Sequence, residues 1–483
     1  MDNLAWSDAN LAAIKSDHTI STLMSAMFRV NYVFKNRYMI TASIRADGSS
    51  RLVDKWSYFP SAALAWDMKQ EAFLKDNSFI DQMKLRIGYG SVGNQSVAPY
   101  RPFSKRTPIR NSDGSTSYKV DRPAAPFLKW ERNDQVNVGI DFGILNGRVR
   151  FTADWYNKVS KDILLELAQP THMGFSSLLL NSGEIKNTGV EFTISADPYS
   201  TKDFSWHTDV TLSHNKGIFN KIQTRNHRQQ QAGEFQNQLF QMIEGEKLGT
   251  FWGYTFEGIW QEDEVNAPFV DANGNKNGKT NGEVYKVVAG NSKYKDMNQD
   301  GVLNDEDQGI MGCGQPTFNW GWNNTFNYKN FDLSFFMIGF HGFDIYNATH
   351  QMGFNTISGQ NMAAVTPMRD FLNRWTPTNT NTDVPGFVQG GTENKFFSSR
   401  FVENGSFIKM KSITLGYTLP EKACNALGIN NLRVYASVQN PFHITSYDGL
   451  DPEATMGSPL VQGVDWGAYP NSRNYLFGLN FSF

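Results

Sequence analysis

Residues 135–155 read Gln-Val-Asn-Val-Gly-Ile-Asp-Phe-Gly-Ile-Leu-Asn-Gly-Arg-Val-Arg-Phe-Thr-Ala-Asp-Trp and carry the clearest structural pattern in the chain. From Val136 to Ile144 an apolar side chain alternates with a small or polar one, and this period of two predicts a β-strand. Asn146-Gly147 follows, a pair that accommodates the positive φ angles of a type I′ turn. The alternation resumes from Val149 to Trp155. The segment therefore predicts a tight hairpin with one apolar face and one charged face.

The same alternation recurs along the chain and predicts thirteen strands in all. They cover residues 23–34, 38–46, 58–66, 83–91, 135–144, 149–155, 190–196, 204–213, 318–328, 331–337, 406–418, 431–441 and 475–483. The composition agrees, because the chain has 14% aromatic residues and 41 glycines but only 19% charged residues. Aromatic residues are enriched in strands, so extensive β-structure is expected rather than a helical bundle.

The links between these strands alternate between short and long. Short links lie at 35–37, 145–147, 199–202 and 329–330, and long connections lie at 92–133, 215–316 and 342–405. Outer-membrane barrels have short periplasmic turns and long extracellular loops. The pattern therefore predicts an all-β fold, a transmembrane antiparallel β-barrel whose C-terminus is periplasmic. On the first hairpin, Ile140 is then expected to face lipid, and Asp141 the lumen near Arg148 and Arg150.

Strand parity predicts that residues 1–483 are the C-terminal part of a larger barrel. With the short links in the periplasm, the first strand descends and the last one ends there, which requires an odd number of strands. Bacterial single-chain barrels close with an even number. The alternative is that one strand has been miscounted. The opening residues Met1–Trp6 show no secretory signal, so the chain is either cytoplasmic or part of a longer precursor.

Several other classes of protein are disfavoured by composition and motifs. A net charge of −2 provides no basic surface for nucleic acid, and two cysteines 111 positions apart build neither a disulfide framework nor a cysteine zinc site. Gly88–Gly93 matches a dinucleotide fingerprint only in spacing, because Pro99 and Pro102 follow where a helix is needed. We find no zinc-protease, nucleophile-elbow or phosphate-loop motif. The chain is therefore not expected to be an enzyme.

Several blocks of the chain resemble SusC/RagA-type TonB-dependent outer-membrane transporters in their order and spacing. They include Arg45-Ala46-Asp47-Gly48-Ser49-Ser50-Arg51, Tyr58-Phe59-Pro60-Ser61-Ala62, Asn137-Val138-Gly139-Ile140-Asp141, Asn187-Thr188-Gly189-Val190-Glu191, Leu415-Gly416-Tyr417-Thr418-Leu419-Pro420 and Asp451-Pro452-Glu453. The resemblance implies a barrel of about 22 strands with a plugged lumen. About nine strands, the plug domain and the segment that engages the TonB complex would then be absent from these residues. It also implies a SusD-like surface lipoprotein as a lid, and oligosaccharides or peptides as cargo.

The 215–316 connection contains a calcium-type motif. Oxygen-bearing side chains stand at loop positions 1, 3, 5, 9 and 12, with Gly301 at position 6 and a backbone carbonyl at position 7. The predicted ligands are Asp296, Asn298, Asp300, Val302 through its carbonyl, Asn304 and Asp307. Calcium takes six to eight oxygen ligands around a sharp turn, which this spacing supplies. Position 12 is Asp rather than the longer Glu. The alternative is a solvated turn without metal.

The same connection contains a run of aromatic residues from Phe251 to Trp260. In an extracellular loop, such rings can stack on a sugar or a peptide. The predicted contacts with substrate or lid are Trp252, Tyr254, Phe256 and Trp260. The alternative is that the rings pack the loop against the barrel or against a lid protein.

These observations predict part of a TonB-dependent nutrient importer in the outer membrane of a Gram-negative bacterium. The chain would work with a surface lipoprotein and contact membrane lipid. Two rival interpretations are a plain porin and a calcium-binding surface protein or adhesin with the aromatic residues in a soluble core. The closing strand is expected to end at Phe483, an aromatic terminus that the barrel-assembly machinery engages.

Overall fold

The computed structural model describes residues 18–168, 171–175, 177–222, 227–228, 239–354, 369–386, 396–426, 428–455 and 460–482. The prediction for the terminal Phe483 lies outside these residues, as do the opening residues in which a secretory signal was sought. Within the described residues the fold consists mostly of β-strands.

Thirteen strands form one antiparallel sheet in which each strand neighbours the next one along the chain. They are β1 (Leu23–Phe34), β2 (Tyr38–Ser49), β3 (Trp56–Asp67), β4 (Ile80–Asn94), β5 (Glu131–Ile144), β6 (Val149–Lys161), β7 (Glu184–Ser200), β8 (Phe204–Lys221), β9 (Phe318–Tyr328), β10 (Phe331–His341), β11 (Phe407–Thr418), β12 (Asn431–Thr445) and β13 (Asn474–Ser482). All thirteen predicted strands are confirmed. Several are longer than predicted, and β8 continues eight residues past its predicted end at 213, so the following connection begins later than 215.

The tight turns explain how these strands are joined. Asn146 and Gly147 have φ angles of 58° and 75°, and the Arg148 amide donates a hydrogen bond to the Leu145 carbonyl at 3.3 Å. The turn after β1 is similar, with positive φ at Lys35 and Asn36. These values match the type I′ geometry, whose twist fits that of the flanking strands.

Apolar and charged side chains alternate along the strands as predicted. On β5, Val136 and Val138 are exposed, whereas the Asp141 carboxylate pairs with the Arg86 guanidinium of β4 at 2.9 Å. Arg86 also contacts Asp154 at 3.0 Å. The Arg148 guanidinium, which was expected near Asp141, instead donates to the backbone carbonyls of Asp197 and Pro198.

The chain divides into two compact units. The described residues of Met1–Phe142, Asp154–Thr188 and Asn220–Gln223 form the first. Its connections carry two small hairpins and two short 3-10 helices: Lys105–Arg110 with Thr116–Arg122, Leu164–Ala168 with Ser177–Asn181, Met68–Gln70 and Thr171–Met173. Its apolar core is formed by Leu52, Phe59, Val97, Ala125, Leu128, Trp130 and Leu179.

The second unit contains the described residues of Gly143–Ala153, Gly189–Phe219 and Thr224–Phe483. The connection between β8 and β9 has its own secondary structure: strands His227–Arg228, Gln241–Met242, Thr250–Tyr254, Phe256–Ile259, Pro268–Val270, Lys276–Thr280, Ser292–Tyr294 and Gln308–Cys313, helices α1 (Glu262–Asn266) and α2 (Asn281–Tyr285), and the 3-10 helix Asp305–Asp307. It is therefore a folded structure rather than an irregular loop.

The later connections of this unit are also folded. They contain strands Asp344–Asn347, Val402–Asn404 and Val464–Asp465 in one small sheet, helices α3 (Ala348–Phe354) and α4 (Glu421–Ala426), and 3-10 helices Arg369–Asn373, Ser399–Phe401 and Pro452–Thr455. The largest apolar core of the unit joins two connections, because Phe240 and Phe251 from one pack with Tyr346 and Phe401 from the next.

Among the described residues, no helix has both the length and the apolar character needed to cross a membrane.

Candidate functional site

The predicted calcium motif folds as one closed loop between residues 296 and 307. The Asp296 carboxylate accepts hydrogen bonds from the Gly301 amide and the Tyr285 hydroxyl, both at 2.8 Å. Gly301 has a φ of 82°, a conformation that favours glycine, and a Cβ there would meet Val284 at 2.5 Å. Position 6 of the motif is therefore a glycine because the turn is both left-handed and crowded.

Asp307, the last residue of the motif, is buried and bonds to the backbone of the loop. Asp307 is 1% exposed, and its two carboxylate oxygens accept the backbone amides of Met297 and Asn304, both at 2.9 Å. The Asn304 side chain in turn caps the 3-10 helix by accepting the Glu306 amide at 2.7 Å. The shorter Asp at position 12 is thus matched to two backbone amides that lie close to it.

The two middle residues of the motif are exposed and bonded to each other. The Asp300 amide donates to the Asn298 side-chain oxygen at 3.0 Å, and the Val302 amide donates to Asp300 at 2.7 Å. The Val302 carbonyl receives the Asn304 side-chain amide at 3.3 Å. All six predicted ligands therefore lie within one loop.

Two observations bear on whether a cation fits this loop. The Oδ1 atom of Asp296 is buried without a hydrogen-bond partner in the protein, so one ligand-type oxygen has its acceptor capacity unused. Conversely, nowhere in the described part of the chain do three His, Cys, Asp or Glu side chains already converge as a metal site. The donor set has the oxygen chemistry of calcium, and hydrogen bonds to the backbone hold its side chains in place.

Of the four aromatic residues predicted to contact substrate or lid, two are buried within the connection between β8 and β9. Tyr254 and Trp260 are 5% and 7% exposed, whereas Trp252 and Phe256 are partly exposed. Tyr254 packs on Phe396 with a centroid distance of 4.8 Å, and the Lys293 ammonium lies 4.9 Å from the Trp260 ring. The rings of Tyr254 and Trp260 therefore pack against other residues of the second unit, which leaves little of their area exposed to a substrate.

The structure brings the metal motif and the aromatic run together. A cavity of about 290 Å³ is lined by Trp260, Tyr285 and Tyr294 on one side and by the loop residues Gly301 and Val302 on the other. Burial and the hydrogen bond to Asp296 raise the pKa of Tyr285 above its ordinary value. Tyr285 and Tyr294 were not singled out from the sequence, because no spacing relative to the motif marks them.

A second group of charged residues is marked in the sequence only by the family resemblance. The Lys409 side chain of β11 is 2% exposed, and its ammonium lies 2.9 Å from Asp451 and 2.7 Å from Glu453. Burial opposes ionisation of these carboxyls, but the hydrogen bonds and charge of Lys409 hold the pKa of Asp451 and of Glu453 below its usual value. The block Asp451-Pro452-Glu453 therefore ties its connection to the sheet.

Comparison with known proteins identifies the family. Residues 5–440 match the family described as "TonB dependent receptor-like, beta-barrel". The chain belongs to this family and is of the SusC/RagA type, as the resemblance in its sequence blocks predicted.

Two curated relatives show the extent of the similarity. TonB-dependent receptor P3 of Formosa agariphila is 33% identical over 475 residues, which cover 95% of this chain and 45% of that protein. TonB-dependent receptor SusC of Bacteroides thetaiotaomicron is 31% identical over 496 residues, which cover 99% of this chain and 45% of that protein. The chain spans about half the length of the curated relatives that it matches.

Solved structures share the fold. The RagAB peptide transporter matches with a TM-score of 0.79 at 23% identity, over 96% of this chain and 47% of the other. The open-open state of the RagAB peptide importer gives a TM-score of 0.77, also at 23% identity, over 96% of this chain and 47% of the other.

Proposed function

We propose that this chain supplies barrel strands to a TonB-dependent importer of nutrients in the outer membrane of a Gram-negative bacterium. The observation that carries the proposal is the exposed apolar face of the sheet, on which Phe477 is 84% and Leu479 is 63% exposed. Large contiguous apolar surfaces are rare on soluble monomers, whereas a barrel presents an apolar band to lipid. The ion pairs of Arg86 would then face the lumen, where water and charged groups are tolerated.

The proposed importer draws its energy from the TonB complex, which would be engaged by residues beyond this chain. A SusD-like surface lipoprotein would cover the extracellular side, where the folded connections of the second unit would lie. Oligosaccharides or peptides are the proposed cargo. Similarity to SusC and the shared fold with the RagAB peptide transporter support this choice of partner and cargo.

Uptake by cells that carry the complete protein tests this proposal. Cells would be given labelled mixtures of oligosaccharides and of peptides, with the gene intact, with the gene deleted, and with TonB removed. We expect accumulation of one cargo class that requires both the gene and TonB. A plain porin would instead pass cargo without TonB, and an adhesin or other surface protein would leave uptake of both mixtures unchanged on deletion.

We also propose that the loop at residues 296–307 binds calcium. Asp296, Asn298, Asp300, Asn304 and Asp307 would supply side-chain oxygens, and Val302 its carbonyl. A bound ion would neutralise the carboxylates of the loop and cross-link them. The unpartnered Oδ1 atom of Asp296 supports this assignment, since a buried acceptor without a partner is costly.

The aromatic run retains a smaller proposed role in recognition. Trp252 and Phe256 keep exposed area, so we propose them as contacts for cargo or for the lid protein. Tyr254 and Trp260 would act indirectly by fixing the shape of the connection. Replacement of Phe256 by alanine should then weaken lid or cargo binding without unfolding the connection, as judged by protease resistance.

A further inference from the structure

A cavity of about 770 Å³ opens beside Trp375, at the junction of two connections of the second unit. Such a volume is typical of pockets for small ligands. The lining residues besides Trp375 are Gln261, Glu262, Asp263, Asn266, Pro377, Thr380 and Asn381. This cavity is separate from the calcium-type loop, and its tryptophan lies outside the aromatic run that the sequence suggested.

The Trp375 ring is held in a fixed position. Its indole Nε1 donates a hydrogen bond to the Gln261 side-chain oxygen at 3.0 Å. Its backbone amide donates to the Val384 carbonyl at 2.8 Å. A Cβ at Gly290 would lie 2.6 Å from the ring, and one at Gly386 would lie 3.2 Å from it, so two glycines allow the backbone to support the ring edge.

Backbone hydrogen bonds connect these two glycines to the buried residue Trp260. The Gly386 amide donates a hydrogen bond to the Gly290 carbonyl at 2.8 Å, and the Gly290 amide donates one to the Trp260 carbonyl at 2.9 Å. Trp260 itself is 7% exposed. The backbone carbonyl of Trp260, a residue of the aromatic run, is thus linked through Gly290 and Gly386 to the position of Trp375, which borders open space.

The rest of the cavity offers polar groups that are either negatively charged or neutral. Glu262 and Asp263 are exposed carboxylates, and Asn266 and Asn381 add amides. These side chains can accept hydrogen bonds from hydroxyl groups and, through the amides, donate to them. Among the described residues that line the cavity there is no lysine or arginine to attract an anion.

We propose that the cavity is a subsite for a neutral oligosaccharide, with one sugar ring stacked on Trp375. The apolar face of a pyranose covers an indole ring, and its hydroxyls reach the surrounding carboxylates and amides. Glu262 and Asp263 select against acidic sugars, because like charges would be brought together. The inference rests on the proposed importer function and assigns a cargo class and a contact residue to it.

The test measures binding by the complete protein in detergent. Calorimetric titrations use a panel of neutral gluco- and manno-oligosaccharides and a uronic-acid oligosaccharide. The variants are Trp375→Ala, Trp375→Phe and Asn381→Arg, which fills the cavity from an exposed position. Trp466→Ala, which removes a 40% exposed tryptophan elsewhere in the unit, is the matched control.

We expect one neutral oligosaccharide class to bind, with a Kd raised about tenfold or more by Trp375→Ala, which corresponds to the loss of a central aromatic contact. Trp375→Phe should raise the Kd less than Trp375→Ala does. Asn381→Arg should also weaken binding, whereas Trp466→Ala should leave the Kd unchanged. A Glu262→Gln, Asp263→Asn double variant should gain affinity for the acidic sugar. Protease resistance of the connection shows whether Trp375→Ala remains folded, and Asn381→Arg tests the site independently of it.

Three results would overturn the subsite: no neutral oligosaccharide binds the unaltered protein, Trp375→Ala binds as tightly as the unaltered protein, or Asn381→Arg leaves binding unchanged. These results are distinguishable from failure of the importer function. TonB-dependent uptake of peptides alone would reject the subsite but keep the importer, whereas sugar binding at Trp375 without any energised uptake would keep the subsite and reject the importer.

Discussion

The sheet and the connection between β8 and β9 place the same type of residue in opposite environments. On β13, the ring of Phe477 is 84% exposed, whereas Phe251 in the connection is 0% exposed. Tyr475 is 64% exposed on the strand, but Tyr254 in the connection is only 5% exposed. An aromatic side chain is thus turned outward in one region and inward in the other.

This contrast indicates that the connection folds in contact with water, whereas the sheet is suited to an apolar surrounding. The connection buries its rings as a water-soluble domain does, because apolar surface is removed from water on folding. The sheet leaves its rings exposed, as expected if membrane lipid covers them. The two regions should therefore respond differently to the same substitution.

The largest effect is expected at the buried ion pair that joins β11 to its neighbouring connection. Lys409→Met in the complete protein leaves Asp451 and Glu453 without their buried cation. Removing one partner of a buried pair typically costs about 3–5 kcal/mol. The measurement is the urea dependence of protease cleavage within residues 446–473. A Lys411→Met variant removes a more exposed partner of Glu453 and should lose much less stability.

The same pair predicts a dependence of stability on acid. The pKa of Asp451 and of Glu453 is lower in the folded protein than in the unfolded chain. The stability that the two carboxylates contribute is therefore complete above their pKa in the unfolded chain, roughly 4. It is lost as the pH falls through their lower pKa in the folded protein. Protease resistance of the connection should decline in that acid range. A decline of the same size in Lys409→Met would contradict this assignment.

Paired phenylalanine substitutions compare the two regions directly. Phe251→Ala should destabilise the connection by about 3–5 kcal/mol, as expected for a large ring removed from a packed core. Phe477→Ala removes an exposed ring from β13 and should cost clearly less when both are measured in detergent by chemical unfolding. Equal losses would mean that Phe477 is covered by protein and that the contrast between the regions is wrong.

Arginine substitutions on β5 separate its two faces in a lipid bilayer. Val138→Arg places a guanidinium on the exposed apolar face, with an expected cost of about 2–4 kcal/mol if the position lies near the bilayer mid-plane. Asn137→Arg on the polar face is the control and should cost little. Asp141 is a poor control, because its replacement would also break the ion pair with Arg86. Folding into lipid vesicles across a urea gradient measures both.

The smallest effect on stability is expected at the calcium-type loop. Calorimetry on the complete protein should detect calcium binding with a Kd of roughly 10⁻⁴ to 10⁻³ M, as in extracellular modules. Asp300→Ala should abolish that heat. Asp271→Ala, in a comparable turn where Asp271 accepts the Asn273 and Asn275 amides, should leave it unchanged. Identical titrations for all three proteins would show that residues 296–307 form only a turn.

The sequence was sufficient to predict the sheet because each strand carries its own local signal. Alternation along β5 and the Asn146-Gly147 turn predicted both strand and hairpin correctly. The connections could not be predicted in the same way, since their contacts join residues far apart. Nothing near Lys409 indicates that Asp451, 42 positions later, would pair with it. Similarly, Trp375 is fixed by Gln261 across 114 positions.

Site-directed spin labelling on β5 measures whether the exposed apolar face of the sheet contacts lipid. A nitroxide would be attached to a cysteine at position 138 or 137 of the complete protein in lipid vesicles. Val138 and Asn137 are both exposed in the structure, so a soluble protein would expose both to water. If the face contacts lipid, the label at 138 will be relaxed by oxygen and shielded from a polar nickel reagent, with the reverse at 137. Equal access of the nickel reagent to both positions would contradict lipid contact.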